Sequence, residues 1–280
     1  MDSGAASSNA SESTSAYLST RLGNSIESPA LIRRAASGPA AFEMKCLIDE
    51  RLAAAIESFL APSLTPDPFA HSAHNGHYLI TTLSTDTPEL SVFHRQEGYG
   101  QRKFRIRRYG SESLVYLERK TRRGHKVSKH RTAAEVSELS RIISQGPSEQ
   151  SSGWPGDWFQ SQIIGRRLQP VCLMTYERRA WFGDSEHGSI RLTFDRDLCG
   201  AQTSNWLPEF RTGMQSIVGG GVICEFKFRE TLPQVFKAAI QEFALTPGGF
   251  SKYRNCMSVL TGLALQAASQ IESDKEADRA

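Results

Sequence analysis

The sequence has no run of about 18 to 20 consecutive apolar residues, which is the length that a membrane-spanning helix requires. Its N-terminus, MDSGAASSNASES, lacks the basic segment and the following apolar segment that are typical of a secretion signal. These two absences predict a protein with neither a membrane segment nor a leader.

Cysteine is also scarce, with five residues in a chain of 280 and none in a Cys-x-x-Cys pair. This scarcity argues against a disulfide framework and against a thiolate zinc site. We therefore expect a reducing, cytoplasmic compartment for this protein.

The glycines at 219–221 are not followed by Gly-Lys-Ser/Thr, so they predict a turn rather than a P-loop.

The net charge is small, because 33 Lys and Arg oppose 30 Asp and Glu to give +3. That balance excludes a wholly polybasic chain, but the charges are unevenly placed. From Arg95 to Arg131 there are thirteen Lys and Arg against three Glu, which gives this segment about +10 and the remainder about −7. Such a segment favours a local site for a polyanion such as nucleic acid, polyphosphate or a nucleoside triphosphate.

The chain divides into three parts by composition. Residues 1–40 are rich in Ser and Ala and we expect them to be disordered, while residues 272–280 form a charged tail. Residues 41–271 carry the hydrophobic patterns of one domain. The predicted strands are 42–47, 78–83, 91–93, 103–109, 114–120, 171–181, 189–194 and 222–228. Four helices are predicted. One begins after Asp49, one begins after Thr231, and the other two span 132–143 and 255–270.

Several of the predicted strands carry charge on one face. Residues two apart in a strand share a face, so Arg105 and Arg107 lie together with apolar neighbours opposite them. The same spacing recurs in three Glu-x-Lys pairs, which are Glu43 and Lys45, Glu118 and Lys120, and Glu225 and Lys227. A single strand of this kind is typical of a half-solvated sheet. Tyr176 and Arg178 share a face of a fifth strand, and Arg191, Thr193 and Asp195 share a face of a sixth. Six such strands favour a curved sheet or barrel whose interior binds anions, with the Glu side chains pairing with cations or holding a divalent metal.

Eight short motifs occur in order along most of the chain: FEMK (42–45), RKFRIRRYG (102–110), LERK (117–120), KVSKHR (126–131), MTYERRAWF (174–182), SIRLTFDRDL (189–198), CEFKF (224–228) and FSKY (250–253). Together they resemble the polyphosphate polymerase domain of the vacuolar transporter chaperone (VTC) family. That family belongs to the triphosphate tunnel metalloenzymes.

The resemblance implies an α+β fold, built as a closed antiparallel β-barrel of about eight strands with flanking helices around a basic tunnel. It also implies that the tunnel cations bind a triphosphate or polyphosphate and that Glu225 helps to bind Mn or Mg. The expected catalytic residues are Arg105, Arg107, Lys120, Arg178 and Arg191. The expected substrate-binding residues are Lys45, Lys129, Tyr176, Lys227, Ser251 and Lys252. The expected metal-binding residues are Glu225, Glu43 and Glu118.

One departure from the superfamily bears on the reaction. The fuller first motif is Glu-x-Glu-x-Lys, and here Ala41 stands at the first Glu position, which weakens the case for a two-metal hydrolase. The implied activity is transfer of the γ-phosphate of ATP onto phosphate or polyphosphate. Two alternatives stay open: a triphosphatase acting on inorganic triphosphate or a nucleoside triphosphate, and a non-catalytic module that binds polyphosphate or binds RNA on a basic surface. We expect no general affinity for nucleic acid. The sequence identifies no membrane partner protein.

Overall fold

The computed structural model describes residues 39–68, 76–143 and 153–265. The expected disorder of residues 1–38, the charged tail at 272–280 and the end of the last predicted helix lie outside the described residues. No helix in the described ranges is both long enough and apolar enough to cross a membrane.

Ten strands form one antiparallel sheet. They are β1 (Ala41–Ile48), β2 (Thr65–Pro66), β3 (Tyr78–Asp86), β4 (Arg102–Tyr109), β5 (Leu114–Arg123), β6 (Lys126–Glu135), β7 (Gln169–Ser185), β8 (Gly188–Gln202), β9 (Gln215–Ser216) and β10 (Val222–Phe228). Eight of them follow the order β7-β3-β4-β5-β6-β1-β10-β8, and pairing of β8 with β7 closes the barrel. The short strands β2 and β9 extend the sheet beside β7 and β8. The predicted α+β fold with a closed eight-stranded barrel is therefore confirmed.

Within the described residues, four α-helices lie outside the barrel: α1 (Glu50–Leu60), α2 (Asp157–Gly165), α3 (Gln234–Glu242) and α4 (Lys252–Thr261). The Asp49 carboxylate caps α1 by accepting a hydrogen bond from the Leu52 amide at 2.7 Å, as the sequence predicts. The Ser251 hydroxyl caps α4 through the Arg254 amide. Gly262 then ends α4 in the left-handed conformation, with φ of 72°, which costs glycine little.

The hydrophobic core lies between the outer face of the barrel and the helices. On one side, α1 and α3 cover Cys46, Phe194 and Phe226, all of which are buried. Phe236 of α3 stacks edge-on against Phe226 with ring centroids 5.0 Å apart. Because alternate residues point outward into this core, the charged residues between them point into the barrel.

Three predicted elements differ in the structure. The helix predicted at 255–270 instead spans Lys252–Thr261 and ends at Gly262, so residues 262–265 are not helical. Residues 91–93 form a turn rather than a strand, because the buried Asp86 carboxylate accepts hydrogen bonds from the Val92 and Phe93 amides at 2.8 and 2.9 Å. The helix predicted at 132–143 is wrong in its first part: β6 continues to Glu135, and a 3₁₀ helix, Val136–Ile142, follows. Pairing of β6 with β5 along its whole length outweighs the local helical pattern.

We expect Phe236→Ala to lower the free energy of unfolding by about 3 to 5 kcal/mol, because the ring is fully buried against Phe226 and its loss leaves a cavity. Urea denaturation monitored by circular dichroism measures this change. The matched control is Phe210→Ala, since Phe210 is 59% exposed and its loss should have little effect. Equal effects of the two variants would contradict this account of the core.

Candidate functional site

The interior faces of β4, β5 and β6 carry charged residues in register. Lys103, Lys120 and Lys129 lie side by side across the three strands, and we call them the lysine row. The next inward-facing level consists of Arg105, Glu118 and Arg131. Pairing of these three consecutive strands thus concentrates the cations of one basic segment on one inner wall.

Glu118 is a fully buried carboxylate at the centre of this wall. Its oxygens accept hydrogen bonds from Arg105 Nε and Arg131 Nε, both at 2.6 Å, and Lys129 Nζ lies 3.8 Å away. Burial alone would raise the pKa of Glu118, but the two arginines outweigh it and hold the pKa well below its usual range. Glu118 is therefore an ionised link between β4, β5 and β6.

A second charged group joins β1, β5 and β10. Lys45 Nζ lies 3.0 Å from Glu43 Oε2 and 3.1 Å from Glu225 Oε2, so both carboxylates contact one ammonium group. Lys120 Nζ donates to Glu43 at 2.6 Å. Burial tends to raise the pKa of Glu225, and Lys45 and Lys120 overcome this effect and lower it well below its usual range.

The third group is centred on Asp195 of β8. Arg178 donates two hydrogen bonds to its oxygens at 2.6 and 2.7 Å, and Lys252 Nζ contacts it at 2.5 Å. Asp195 is fully buried, which would raise its pKa, but Arg178 and Lys252 lower the pKa to about 2. Because Lys252 belongs to α4, this ion pair also fixes that helix to the barrel.

Two further arginines are held by tyrosine hydroxyls. Arg107 is buried and donates from Nη2 to the Tyr176 hydroxyl at 3.0 Å. Arg191 donates to the Tyr78 hydroxyl at 3.0 Å and contacts Asp67 at 3.3 Å. These neutral or shared partners leave donor groups of both arginines available to an anion.

The lysine row is only partly neutralised by nearby carboxylates. Burial, with neighbouring cations such as Lys120, lowers the pKa of Lys103 to about 7. Burial likewise lowers the pKa of Lys129 to about 7 and that of Lys120 to about 8, against the opposing effect of Glu118 and Glu43 respectively. An anion bound between them would restore the charge of these lysines, so the row suits a polyanion.

The structure brings most of the predicted site residues to one interior. Lys45, Arg105, Arg107, Lys120, Lys129, Tyr176, Arg178, Arg191 and Lys252 all take part in the groups described above. Lys227 lies opposite Glu43 and Arg191 in the β1–β10–β8 register. Ser251 caps α4 and accepts a hydrogen bond from Lys103 Nζ at 2.8 Å.

Sequence reasoning missed three members of the interior: Lys103, Arg131 and Asp195. Lys103 precedes Arg105 by two residues in a predicted strand, and Asp195 lies four residues after Arg191, so alternation places both on the charged faces. No predicted strand contains Arg131, and its place beside Glu118 depends on the pairing of β6 with β5. Alternation therefore contained the information that would have found Lys103 and Asp195 but not Arg131.

The three glutamates expected at a metal site fall into two separate sets of contacts. Glu43 and Glu225 share Lys45, whereas Glu118 is held by Arg105 and Arg131. No group of three or more His, Cys, Asp or Glu suited to a metal occurs in the described parts of the chain. Two carboxylates whose remaining ligands come from phosphate oxygens and water fit the way that Mg²⁺ is commonly bound, so Glu43 and Glu225 fit a divalent metal.

We expect Glu118→Gln to destabilise the protein at pH 7 by about 3 to 5 kcal/mol, because Arg105 and Arg131 lose a buried counter-charge. The pKa of Glu118 is lower in the folded state, so its contribution is full above the unfolded pKa and is lost as the pH falls through the folded pKa. Urea titrations from pH 7 to pH 3 should therefore show that the free energy of unfolding depends less on pH in the variant than in the wild type. Glu97→Gln, at an exposed position, is the control, and an acid dependence of Glu118→Gln equal to that of the wild type would refute the role.

Comparison with solved structures finds matches of low sequence identity and low TM-score. A protein from Hippeastrum, HpAC1, named for adenylyl cyclase and described as having a dominant triphosphatase activity, is 15% identical, with a TM-score of 0.43 and coverage of 81% of this chain and 99% of that chain. A Vibrio parahaemolyticus protein named for adenylate cyclase is 11% identical, with a TM-score of 0.40 and coverage of 78% and 98%. A Pyrococcus horikoshii protein is 10% identical, with a TM-score of 0.39 and coverage of 76% and 96%. These weak similarities assign no activity to this chain.

None of the curated proteins compared with this chain matches it. The family model described as the VTC domain matches residues 40–261, which are most of the chain and include all eight barrel strands. The ordered motifs, the closed barrel and its basic interior agree with that match. The chain therefore belongs to the VTC domain family.

Proposed function

We propose that the protein is a metal-dependent phosphotransferase that moves the γ-phosphate of ATP onto phosphate or a polyphosphate chain inside the barrel. The observation that carries this proposal is the interior itself, where cations from seven strands and α4 outnumber the carboxylates that they contact. Packed cations of this kind are costly in the absence of counter-ions and are favourable around linked phosphates.

Phosphoryl transfer depends mainly on positioning and on stabilising charge, both of which this interior can supply. Arg105, Arg107 and Arg191 offer planar guanidinium groups to the oxygens of the transferred phosphoryl group. Lys120 and Arg178 complete the proposed catalytic set from neighbouring walls. An acceptor phosphate oxygen attacks the γ-phosphorus, the bond to the bridging oxygen breaks, and ADP leaves with the bonding electrons.

The remaining residues hold the donor and the acceptor in line. In this proposal Lys45, Lys129, Tyr176, Lys227, Ser251 and Lys252 bind phosphates on either side of the transferred group. Glu43 and Glu225 would hold Mn or Mg, which when bound neutralises charge on the phosphate oxygens. Both carboxylates are ionised at neutral pH, because nearby lysines overcome the effect of burial and lower their pKa values.

Hydrolysis is the alternative, since water in place of the acceptor would convert the same interior into a triphosphatase. Ala41 argues for transfer, because it lies on the same strand face as Glu43 and Lys45 and provides no ligand for a second metal. The interior near β1 and β10 therefore has two carboxylates, Glu43 and Glu225, rather than three.

The decisive experiment incubates the full chain with γ-labelled ATP and Mn or Mg and sizes the labelled products. We expect long labelled polymer from the wild type and a loss of about 10² to 10³ in rate for Arg107→Ala and for Glu225→Gln. Arg108→Ala is the matched control, because Arg108 lies on the opposite face of β4 and donates to the Ser111 and Glu112 carbonyls. Arg107→Lys, with melting curves for every variant, separates lost chemistry from lost folding.

The products discriminate between the functions. Labelled phosphate without polymer would indicate the triphosphatase, and tight binding of polyphosphate without turnover would indicate the binding module. Equal polymer synthesis by Arg107→Ala and the wild type would exclude the proposed interior site.

Binding of inorganic tripolyphosphate should be coupled to proton uptake above pH 7. The pKa of Lys103 is about 7 because of burial and neighbouring cations, and a bound polyanion would raise it. Affinity should therefore fall as the pH rises from 7 to 9, when the free protein has lost the proton that the complex needs. Calorimetry in two buffers of different ionisation enthalpy measures the uptake.

Lys103→Arg is the control. Arginine stays protonated over this pH range, so residue 103 contributes nothing to proton uptake in this variant. The protonation of tripolyphosphate itself is common to both proteins and cancels in the comparison. Unchanged proton uptake in Lys103→Arg would contradict the assignment of Lys103 to the binding wall.

A further inference from the structure

The outer face of β4, β5 and β6 carries a basic groove that the interior site does not use. Its cavity, of about 310 Å³, is lined by Ala40, Arg102, Arg119, Thr121, Arg123 and Ser128, and we call it the outer groove. None of these lining residues is acidic. The charge of the groove is thus positive and is not neutralised by its own lining residues.

Strand geometry explains how these arginines come together. Arg119, Thr121 and Arg123 alternate along β5 and therefore share its outer face. Arg102 of β4 and Ser128 of β6 lie on either side of Thr121 in register. Arg119 and Arg123 are four residues apart, or about 13 Å along an extended strand, so the groove suits a chain of linked phosphates better than a single ion.

The arginines of the outer groove are available for a ligand. Arg102 and Arg123 are exposed, and neither forms an ion pair with another described residue. Arg119 is half-buried over the Trp158 ring at 5.9 Å, and its Nε has no hydrogen-bond partner among the described residues. A buried donor without a partner carries a desolvation cost that an anion in the groove would relieve.

A second cavity, of about 440 Å³, continues the basic surface. It shares Arg102 with the outer groove and adds Arg166, whose Nη1 donates to the Gly98 carbonyl at 3.0 Å. This second cavity also has no acidic lining residue. The two cavities together form a basic track along the outside of the barrel.

The outer groove and the lysine row occupy adjacent positions on the same strands. Arg102 precedes Lys103, Arg119 precedes Lys120, and Ser128 precedes Lys129, so each groove residue alternates with a residue of the interior. Arg102 is also the first residue of β4, which places both sets near one rim of the barrel. A chain that left the interior at this rim would reach the outer groove next.

We propose that the outer groove is a second polyanion site that binds polyphosphate outside the barrel, as a continuation of the lysine row. This proposal rests on the proposed function for its ligand, since an interior that handles linked phosphates must accommodate chains longer than itself. The groove would hold an extended chain by its phosphates, increase affinity with chain length and keep the chain aligned with the interior.

The test compares long-chain polyphosphate with tripolyphosphate as ligands of the full chain. We expect the triple variant Arg102→Gln, Arg119→Gln and Arg123→Gln to bind the long chain about tenfold or more weakly, with its salt dependence reduced by about 2 in log–log slope. Its affinity for tripolyphosphate should stay within about twofold of the wild type, because the interior is intact. The control variant replaces the exposed Arg51, Arg211 and Lys237 with Gln and removes the same charge elsewhere.

Three outcomes would overturn the groove site. Equal losses in the groove and control variants would mean that net charge alone acts, and equal losses for both ligands would place the arginines in the interior site. Tighter binding of single-stranded RNA, with displacement of polyphosphate from the groove, would make nucleic acid the occupant. If the triple variant does not melt cooperatively, Arg102→Gln with Arg123→Gln, which leaves Arg119 on Trp158, is measured instead.

These results are independent of those that test the proposed function. Length-dependent binding through the groove without polymer synthesis would leave the groove site standing and refute the polymerase. Polymer synthesis with no effect of the groove variant on long-chain binding would leave the polymerase standing and refute the groove site.

Discussion

The structure depends on how the barrel accommodates buried charge. Glu118, Asp195 and the Glu43–Glu225 pair each contact cations from more than one strand or from α4, so the carboxylates hold the barrel wall together. Because cations outnumber these carboxylates, neutralisation is incomplete, and burial together with neighbouring cations lowers the pKa values of Lys103 and Lys129. In the proposed function, this excess of positive charge is what binds linked phosphates.

A separate buried carboxylate positions α4, which brings Ser251 and Lys252 to the interior. Asp86, at the end of β3, accepts hydrogen bonds from three backbone amides in the following turn and from the Tyr253 hydroxyl. Lys103 and Asp195 then contact Ser251 and Lys252 from the barrel side. The site therefore depends on a helix near the end of the described chain whose position is set by polar contacts as well as by packing.

Local patterns in the sequence predict most strands and their faces, because alternation depends only on neighbouring residues. The strand predicted at 222–228 has the observed bounds of β10, and the inward positions of Arg105 and Arg107 follow from alternation alone. Contacts that depend on register could not be predicted in this way. The strand character of β6 comes from pairing with β5, so the helix predicted at 132–143 concealed the place of Arg131 beside Glu118. The division of the glutamates into two sets likewise requires knowledge of which strands are neighbours.

The small net charge of +3 acquires a physical meaning once the strands are placed. The basic segment from Arg95 to Arg131 contains β4, β5 and most of β6, so its charge is divided between the interior wall and the outer groove. Most of the compensating acidic residues lie outside this segment of the sequence, so positive charge is concentrated on the wall that β4, β5 and β6 form. A protein with this distribution attracts a polyanion to one rim and wall, while its low overall charge limits indiscriminate adsorption to other polyanions. In the proposed function, selectivity for linked phosphates comes from the closely spaced cations of the interior, which can contact successive phosphates of an unbranched chain.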